Sequence, residues 1–268
     1  MGGPPGVDTQ GDPKDQEFFE LMDRHMPRNF MWVMRHLPSE PRCRLCKAPY
    51  GGLGGRLMKR FGFGPSRKNP TLCNTCFEKA PLGGVEMEVG VLFADVRGFT
   101  SLAEGMDPKA VAELLNRFYA CASATLTRSA IIDKLVGDEV MALYLPQLFG
   151  KRDWEDHMLR DARDLLAGVG YGRDSDPWLK LGVGLDVGHA YVGNVGSGDV
   201  KDFTALGDVV NTASRLQSSA GAGQIVISER LFGRLSAGPA QAVTTNLDLK
   251  GKSKAEPARV IDLGAARP

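Results

Sequence analysis

The chain has 268 residues, of which 43% are hydrophobic and 24% are charged, as expected for a globular protein with a sizeable core. Its 33 Lys and Arg against 32 Asp and Glu leave a net charge of +1, which argues against a general polyanion binder. The longest apolar stretches have the length of strands, and residues 1–10 lack the pattern of a secretory signal. We therefore expect a cytoplasmic protein without a membrane segment.

The N-terminal region divides into two parts. Residues 1–13 are rich in Gly, Pro, Asp and Gln, which predicts disorder. Over residues 14–38, apolar side chains recur every three to four positions and predict a helix interrupted near Pro27. The helix packs on a core or contributes to a dimer contact; core packing is favoured because no heptad repeat persists. These apolar positions are Phe18, Phe19, Met22, Met26, Phe30, Met34 and Leu37.

Residues 39–80 contain two C-x-x-C pairs, Cys43 with Cys46 and Cys73 with Cys76, separated by 26 residues. Two such pairs complete a tetrahedral sulfur site, and the intervening Gly- and Pro-rich loop needs the folding energy of a bound metal. Structural zinc is favoured over a rubredoxin-like iron site or a redox dithiol. Cys121 stands alone in a helical pattern and is expected to be a small buried residue.

After a linker at residues 81–84, strand and helix patterns alternate through residues 85–265. The order of elements is typical of an α+β architecture, an antiparallel-rich sheet covered by helices. Asp107 and Pro108 mark the start of the first helix. Strands are predicted at 86–94, 131–136, 140–145, 179–187, 190–195, 224–227, 242–249 and 257–263, and helices at 108–128, from Trp154 and from Asp208.

Two aspartates occur at chain reversals, Asp95 at the end of an apolar strand and Asp138 at the tip of a hairpin. In a ferredoxin-like sheet the first strand lies beside the central hairpin, so both carboxylates can converge on one edge. Such a pair is suited to divalent ions that bridge nucleotide phosphates. The alternative is that each aspartate only bonds the amides of its own turn.

Three sequence blocks carry a family resemblance: FADVRGFT at 93–100, KLVGD at 134–138 and LGDVVNTASRL at 206–216. Together they resemble the motifs of the class III nucleotidyl cyclases, over about residues 85–263. The resemblance implies a ferredoxin-like cyclase homology domain that acts as a head-to-tail homodimer. Such a domain converts a nucleoside triphosphate to its 3′,5′-cyclic monophosphate and pyrophosphate.

The resemblance also assigns roles to residues at the reacting groups. Asp95 and Asp138 match the family's two aspartates that hold two Mg²⁺ or Mn²⁺ ions. Asn211 matches the residue that orients the ribose, and Arg215 the one that stabilises charge on the α-phosphate. Their spacing of four places both on one helix face.

Further positions concern the base and the triphosphate. Lys134 matches the base-selecting position, and a lysine there suits the acceptor atoms of adenine, so the resemblance favours ATP. Thr204 stands where the family often has aspartate; its hydroxyl accepts as an aspartate does but also donates, which leaves guanylate or dual specificity open. Lys250 resembles the triphosphate-contacting lysine, with Lys252 as a close alternative.

The resemblance implies that each site is shared between two chains. Asp95 and Asp138 would come from one subunit, and the remaining site residues from the other, so that a homodimer forms two equal sites. Those remaining residues are Lys134, Thr204, Asn211, Arg215 and Lys250.

Other interpretations of the chain remain open. Residues 137–139 resemble the hairpin motif of the diguanylate cyclases, but membership in that family would explain neither Asn211 nor Arg215. A catalytically silent dimeric signalling module is a second alternative, although none of the motif residues is missing. The basic cysteine segment can also be interpreted as a nucleic-acid ribbon, but it lacks aromatic stacking residues. The preferred hypothesis is a solvated basic loop, or one that docks on an acidic face of a regulatory protein.

Overall fold

The computed structural model describes residues 28–37, 40–44, 46–66, 70–77, 82–149, 152–173, 175–197, 200–247 and 255–264. The predicted disorder of residues 1–13, most of the predicted helix over 14–38, and both Lys250 and Lys252 lie outside these residues.

A mixed sheet of eight strands forms the centre of the described structure, in the order β2-β3-β1-β4-β6-β8-β7, with β5 pairing with β4. All neighbours are antiparallel except β4 and β6, which are parallel. The predicted α+β class is confirmed. The strands are β1 Gly83–Val96, β2 Ile131–Val136, β3 Glu139–Tyr144, β4 Leu181–Ser197, β5 Val200–Leu206, β6 Gln224–Ser228, β7 Val243–Leu247 and β8 Glu256–Asp262.

Helices cover both faces of this sheet. Side chains of α5 and α7 join one buried apolar cluster, whereas Val209 and Ala213 of α8 join a second. Among the described residues, no helix has the length and apolarity needed to cross a bilayer. The helices are α1 Arg28–His36, α2 Gly52–Arg60, α3 Asn74–Phe77, α4 Phe99–Glu104, α5 Pro108–Leu126, α6 Pro146–Phe149, α7 Trp154–Val169, α8 Asp208–Ser219 and α9 Glu229–Phe232.

The start of α5 follows its sequence signals. Pro108 is the first helical residue, and the Asp107 carboxylate accepts a hydrogen bond of 2.9 Å from the backbone N–H of Lys109. This cap satisfies one of the backbone N–H groups that a helix leaves without an internal partner. The predicted helix start is therefore confirmed.

The strand pair predicted around Gly188 and His189 is wrong. Strand β4 runs unbroken from Leu181 to Ser197 because β1 pairs with it over fourteen residues, from Val96 opposite Leu181 to Gly83 opposite Asn194. The partner strand after the real reversal is β5. Tertiary pairing thus overrides the local turn signal of a glycine.

The predicted linker also ends earlier than expected, since Gly83 and Gly84 are the first residues of β1. A Cβ atom on Gly84 would lie 2.4 Å from the backbone oxygen of Val192, so only glycine permits this approach of β1 to β4.

The cysteine segment contains a helix that its sequence does not predict, because the segment is rich in glycine. Helix α2 lies between the two C-x-x-C pairs and buries Gly54, Gly55 and Met58. A Cβ atom on Gly55 would lie 2.2 Å from the backbone oxygen of Tyr50, so glycine here serves close packing rather than a turn.

Candidate functional site

Asp95 and Asp138 lie at the same end of two neighbouring strands. Asp95 is the penultimate residue of β1 and pairs with Glu139, the first residue of β3. The backbone N–H of Val96 donates a 3.2 Å hydrogen bond to the backbone oxygen of Asp138. Burial raises the pKa of Asp95, and the negative charge of Asp138 raises it further. The two carboxylates therefore share one environment.

Two glycines shape this end of the sheet. Gly98 has a φ of 73° and Gly137 a φ of 59°, a left-handed conformation that glycine adopts at little cost. Gly98 turns the chain into α4, and Gly137 closes the hairpin immediately before Asp138. The Tyr119 hydroxyl donates to the backbone oxygen of Gly137 and connects α5 to the hairpin.

A third carboxylate and an arginine complete this cluster. Burial raises the pKa of Glu139, and the charges of Asp95 and Asp138 raise it further. The Arg97 guanidinium forms a 2.8 Å ion pair with Asp95, whose side chain is 26% exposed. Carboxylate oxygens at a partly open site are the ligands that Mg²⁺ and Mn²⁺ take in proteins, so the donor set fits the predicted ions. Glu139 is not among the residues predicted for this site, although it directly follows Asp138.

Lys134 and Thr204 lie on two different strands, β2 and β5. Lys134 is exposed, and its positive charge partly opposes the rise in the pKa of Glu139. Thr204 is buried, and its hydroxyl donates a 2.8 Å hydrogen bond to the carboxylate of Asp133, the residue before Lys134. The structure thus places Thr204 beside the segment that carries Lys134. Asp133 was not singled out by the sequence analysis.

Asn211 and Arg215 lie on α8, opposite its buried side. Val209 and Ala213 are buried, Asn211 is exposed and Arg215 is half-buried, as the spacing predicts; Val210 is only partly buried. In the described part of the chain, no hydrogen bond or ion pair joins Asn211 or Arg215 to Asp95 or Asp138.

The four cysteines of the N-terminal segment form one buried cluster. Their sulfur atoms all lie within 4.8 Å of one another. The backbone N–H of Cys73 donates a 3.3 Å hydrogen bond to the sulfur of Cys43, and that of Cys76 donates a 3.2 Å bond to the sulfur of Cys73. Four convergent sulfurs with amide donors fit a tetrahedral thiolate-bound ion.

This cysteine segment contacts the sheet domain. The Arg44 guanidinium donates a 2.7 Å hydrogen bond to the backbone oxygen of Arg128, beyond the end of α5. The four cysteines also belong to the same buried cluster as Val89, Ile131 and Leu143 of the sheet. Cys121 lies outside this cluster and is only partly buried, whereas the sequence predicts a small buried residue.

The fold is an α+β sheet with a cluster of carboxylates at one end, and comparisons with known proteins identify its family. The family model of the adenylate and guanylate cyclase catalytic domain matches residues 85–258. The chain belongs to this family.

Several relatives and solved structures are similar to this chain. An adenylate cyclase of Anabaena cylindrica is 30% identical over 196 residues, which span 66% of this chain and 38% of that protein. The adenylyl cyclase CyaB from P. aeruginosa is 28% identical with a TM-score of 0.50, over 69% of this chain and 98% of its own. The guanylate cyclase domain of RhGC from Catenaria anguillulae was solved with GTP. It is 25% identical with a TM-score of 0.54, over 66% of this chain and 98% of its own.

Proposed function

We propose that this chain is an adenylate cyclase, which converts ATP to 3′,5′-cyclic AMP and pyrophosphate at sites shared by two copies in a head-to-tail homodimer. The observation that carries the proposal is the convergence of Asp95 and Asp138 at one end of β1 and β3. The adenylate cyclases of Anabaena and P. aeruginosa support the choice of ATP, whereas the relative solved with GTP keeps guanylate or dual specificity as the alternative.

In this proposal, Asp95 and Asp138 would hold two Mg²⁺ or Mn²⁺ ions, which when bound would lower the pKa of the ribose 3′-hydroxyl and neutralise charge on the triphosphate. The 3′-hydroxyl loses its proton to solvent, and its oxygen forms a bond to the α-phosphorus as the bond between that phosphorus and the pyrophosphate oxygen breaks. Asn211 of the other subunit orients the ribose, and Arg215 donates to the α-phosphate oxygens as their charge develops. Lys250, with Lys252 as the alternative, contacts the departing pyrophosphate.

Base recognition is assigned to Lys134 and Thr204. The Lys134 ammonium donates to an acceptor nitrogen of the adenine edge, and the Thr204 oxygen accepts from the adenine amino group. Guanine offers a ring N–H and a carbonyl oxygen at these two places, so each contact would become repulsive.

Turnover of ATP and GTP with Mn²⁺ by the purified chain tests this function. We expect cyclic AMP as the main product. Lys134→Glu should lower the ratio of kcat/KM for ATP over GTP by at least about tenfold, because the acid accepts from guanine and repels the adenine acceptor. Lys109→Glu reverses an exposed charge on α5 and should leave the ratio unchanged. Absence of any cyclic nucleotide would support the silent signalling module instead.

For the cysteine cluster we propose one structural Zn²⁺ held by Cys43, Cys46, Cys73 and Cys76. Elemental analysis of the intact chain should find about one zinc per chain. Cys73→Ser should lose the metal and lower the melting temperature, since metal binding supplies folding energy to this segment. Cys121→Ser, outside the cluster, should retain the zinc. Stoichiometric iron, or a metal-free chain of equal stability, would contradict zinc.

A further inference from the structure

We infer that Asp133 is a positioning residue for base selectivity, because its carboxylate fixes the direction in which the Thr204 hydroxyl points its proton. This inference rests on the proposed function and adds to it a residue that contacts no substrate atom. It also answers the ambiguity of a hydroxyl at position 204, which can accept or donate.

The contact between these residues is buried and not local. Asp133 is 2% exposed and Thr204 is 8% exposed. The Thr204 Oγ1 donates to Oδ2 of Asp133 at 2.8 Å, across 71 residues of sequence. Asp133 lies where the pairing of β2 with β3 shifts by one residue, between Ile132 and Lys134. Since little water reaches this bond, few other partners compete for the hydroxyl proton.

The chemistry of the pair makes Thr204 an acceptor only. A threonine hydroxyl has one proton and two lone pairs, whereas an ionised carboxylate has no proton to donate. Once the single proton points at Asp133, the Thr204 oxygen presents only lone pairs to a base. Those lone pairs accept from the amino group of adenine and repel the carbonyl oxygen of guanine. The carboxylate therefore lets threonine act as an aspartate would.

Asp133 also directly precedes Lys134 on β2. One strand therefore contributes both the residue that donates to the base and the residue that orients the Thr204 hydroxyl. Lys134 donates to the base, and Asp133 keeps Thr204 accepting from it. A donor beside an acceptor matches the edge of adenine and is the reverse of what guanine requires.

A purely structural role makes a different prediction. If the bond only holds β5 near β2, loss of Asp133 lowers stability and changes kcat/KM for ATP and GTP by the same factor. The ratio of the two kcat/KM values cancels such common effects. That ratio is therefore the decisive measurement.

The experiment is a double-mutant cycle on the intact chain with Mn²⁺, ATP and GTP. Asp133→Ala frees the hydroxyl proton to donate to guanine, and we expect the ATP-to-GTP ratio to fall about tenfold. Thr204→Val, of similar shape, should cause a similar fall. The double variant should fall no further than Thr204→Val alone, since Asp133 acts through the hydroxyl. Thr204→Ser keeps the hydroxyl and should keep the ratio.

The outcomes separate this inference from the function on which it rests. A wild-type chain that makes no cyclic nucleotide refutes the proposed function. A wild-type chain that prefers ATP, with an unchanged ratio in a folded Asp133→Ala variant, refutes the inference and leaves the function intact. If the alanine variant does not fold, Asp133→Leu replaces it. Leucine has a similar size and no atom that accepts the Thr204 proton, so the ratio should again fall about tenfold, and an unchanged ratio overturns the inference.

Discussion

Arg230 connects a fully buried carboxylate to the helix that carries Asn211 and Arg215. Its Nε donates a 2.6 Å hydrogen bond to Asp186 of β4, and its Nη2 makes a second, short contact to the same carboxylate. The guanidinium also lies 3.8 Å from Asp208, the first residue of α8. Burial raises the pKa of Asp186, and the bonds from Arg230 oppose that rise. Arg230 therefore pairs with the buried Asp186 carboxylate in the core. Its guanidinium also stabilises the start of α8 through its proximity to Asp208.

Removal of Arg230 should destabilise the protein more than removal of a surface cation. Breaking a buried ion pair from one side costs about 3–5 kcal/mol. Arg230→Ala should cost about 2–3 kcal/mol in urea unfolding, below that range because the Arg230 side chain is 44% exposed. Arg230→Ala/Asp186→Asn should recover part of the loss, since no charge is then left unpaired.

Lys109→Ala is the matched control. Lys109 lies 4.0 Å from Glu113 in a pair that is 85% and 70% exposed, so its loss should cost less than about 0.5 kcal/mol. Equal losses in the two alanine variants would contradict a special role of Arg230.

Single residues were predictable where a short sequence motif carries the signal. Asp95 and Asp138 stand out because each occupies a chain reversal after an apolar strand, and the structure places them together; their roles as ligands stay predictions. Asp133 and Arg230 have no such signal. Their partners, Thr204 and Asp186, lie 71 and 44 residues away, and only the folded sheet brings these pairs into contact.

A buried hydrogen bond connects helix α7 to the end of strand β3. The Tyr144 hydroxyl donates a 3.0 Å bond to Asp161, and both residues are buried. The pKa of Asp161 is raised to about 6, chiefly by burial and also by the charge of Asp164, although bonds from Tyr144 and Ser129 and the charge of His157 oppose the rise. The folded protein thus binds a proton at Asp161 more tightly than the unfolded chain does.

This pKa makes stability fall as the pH rises. The stability that proton binding at Asp161 contributes is fully present below the ordinary carboxyl pKa of 3.8. It is lost as the pH rises through about 6. Asp161→Asn cannot titrate, so between pH 5 and 7.5 wild type should lose about 1 kcal/mol more stability than this variant. Urea unfolding at both pH values measures the difference. The exposed Asp176→Asn should behave as wild type, and an identical pH response in Asp161→Asn would contradict the assignment.

Elements were predictable where hydrophobic periodicity is clear, as in α7, and most sharply where a cap agrees with it, as at Asp107 before α5. They were mistaken where glycine suggested a break. Gly188 did not interrupt β4 because β1 pairs along it, and the glycines between the cysteine pairs did not prevent α2 because they pack closely. Glycine has the same sequence signal in a turn and at a close backbone contact, so only packing separates the two.

In one chain, the acidic end of β1 and β3 has no described bond to Asn211 or Arg215 on α8, although the proposed chemistry needs all four residues at one nucleotide. A twofold dimer that pairs the two groups of residues across its interface would form two equal sites. This arrangement is consistent with the sequence resemblance, but no single sequence pattern fixes an interface. Mixing of variants therefore tests directly whether each site is shared between two chains.

Asp95→Ala and Arg215→Ala should each reduce cyclase activity by at least about a hundredfold, because one removes a metal ligand and the other a transition-state donor. In a heterodimer of the two variants, one site carries both lesions and the other carries neither. Mixed and reassociated chains should therefore regain up to about a quarter of wild-type activity, since half of the dimers are mixed and each has one intact site. Mixing Asp95→Ala with Asp138→Ala is the control and should regain nothing, because both changes fall in the same half-site. Separate affinity tags on the two chains verify that heterodimers form, and a verified heterodimer without activity would show that each site is built from one chain.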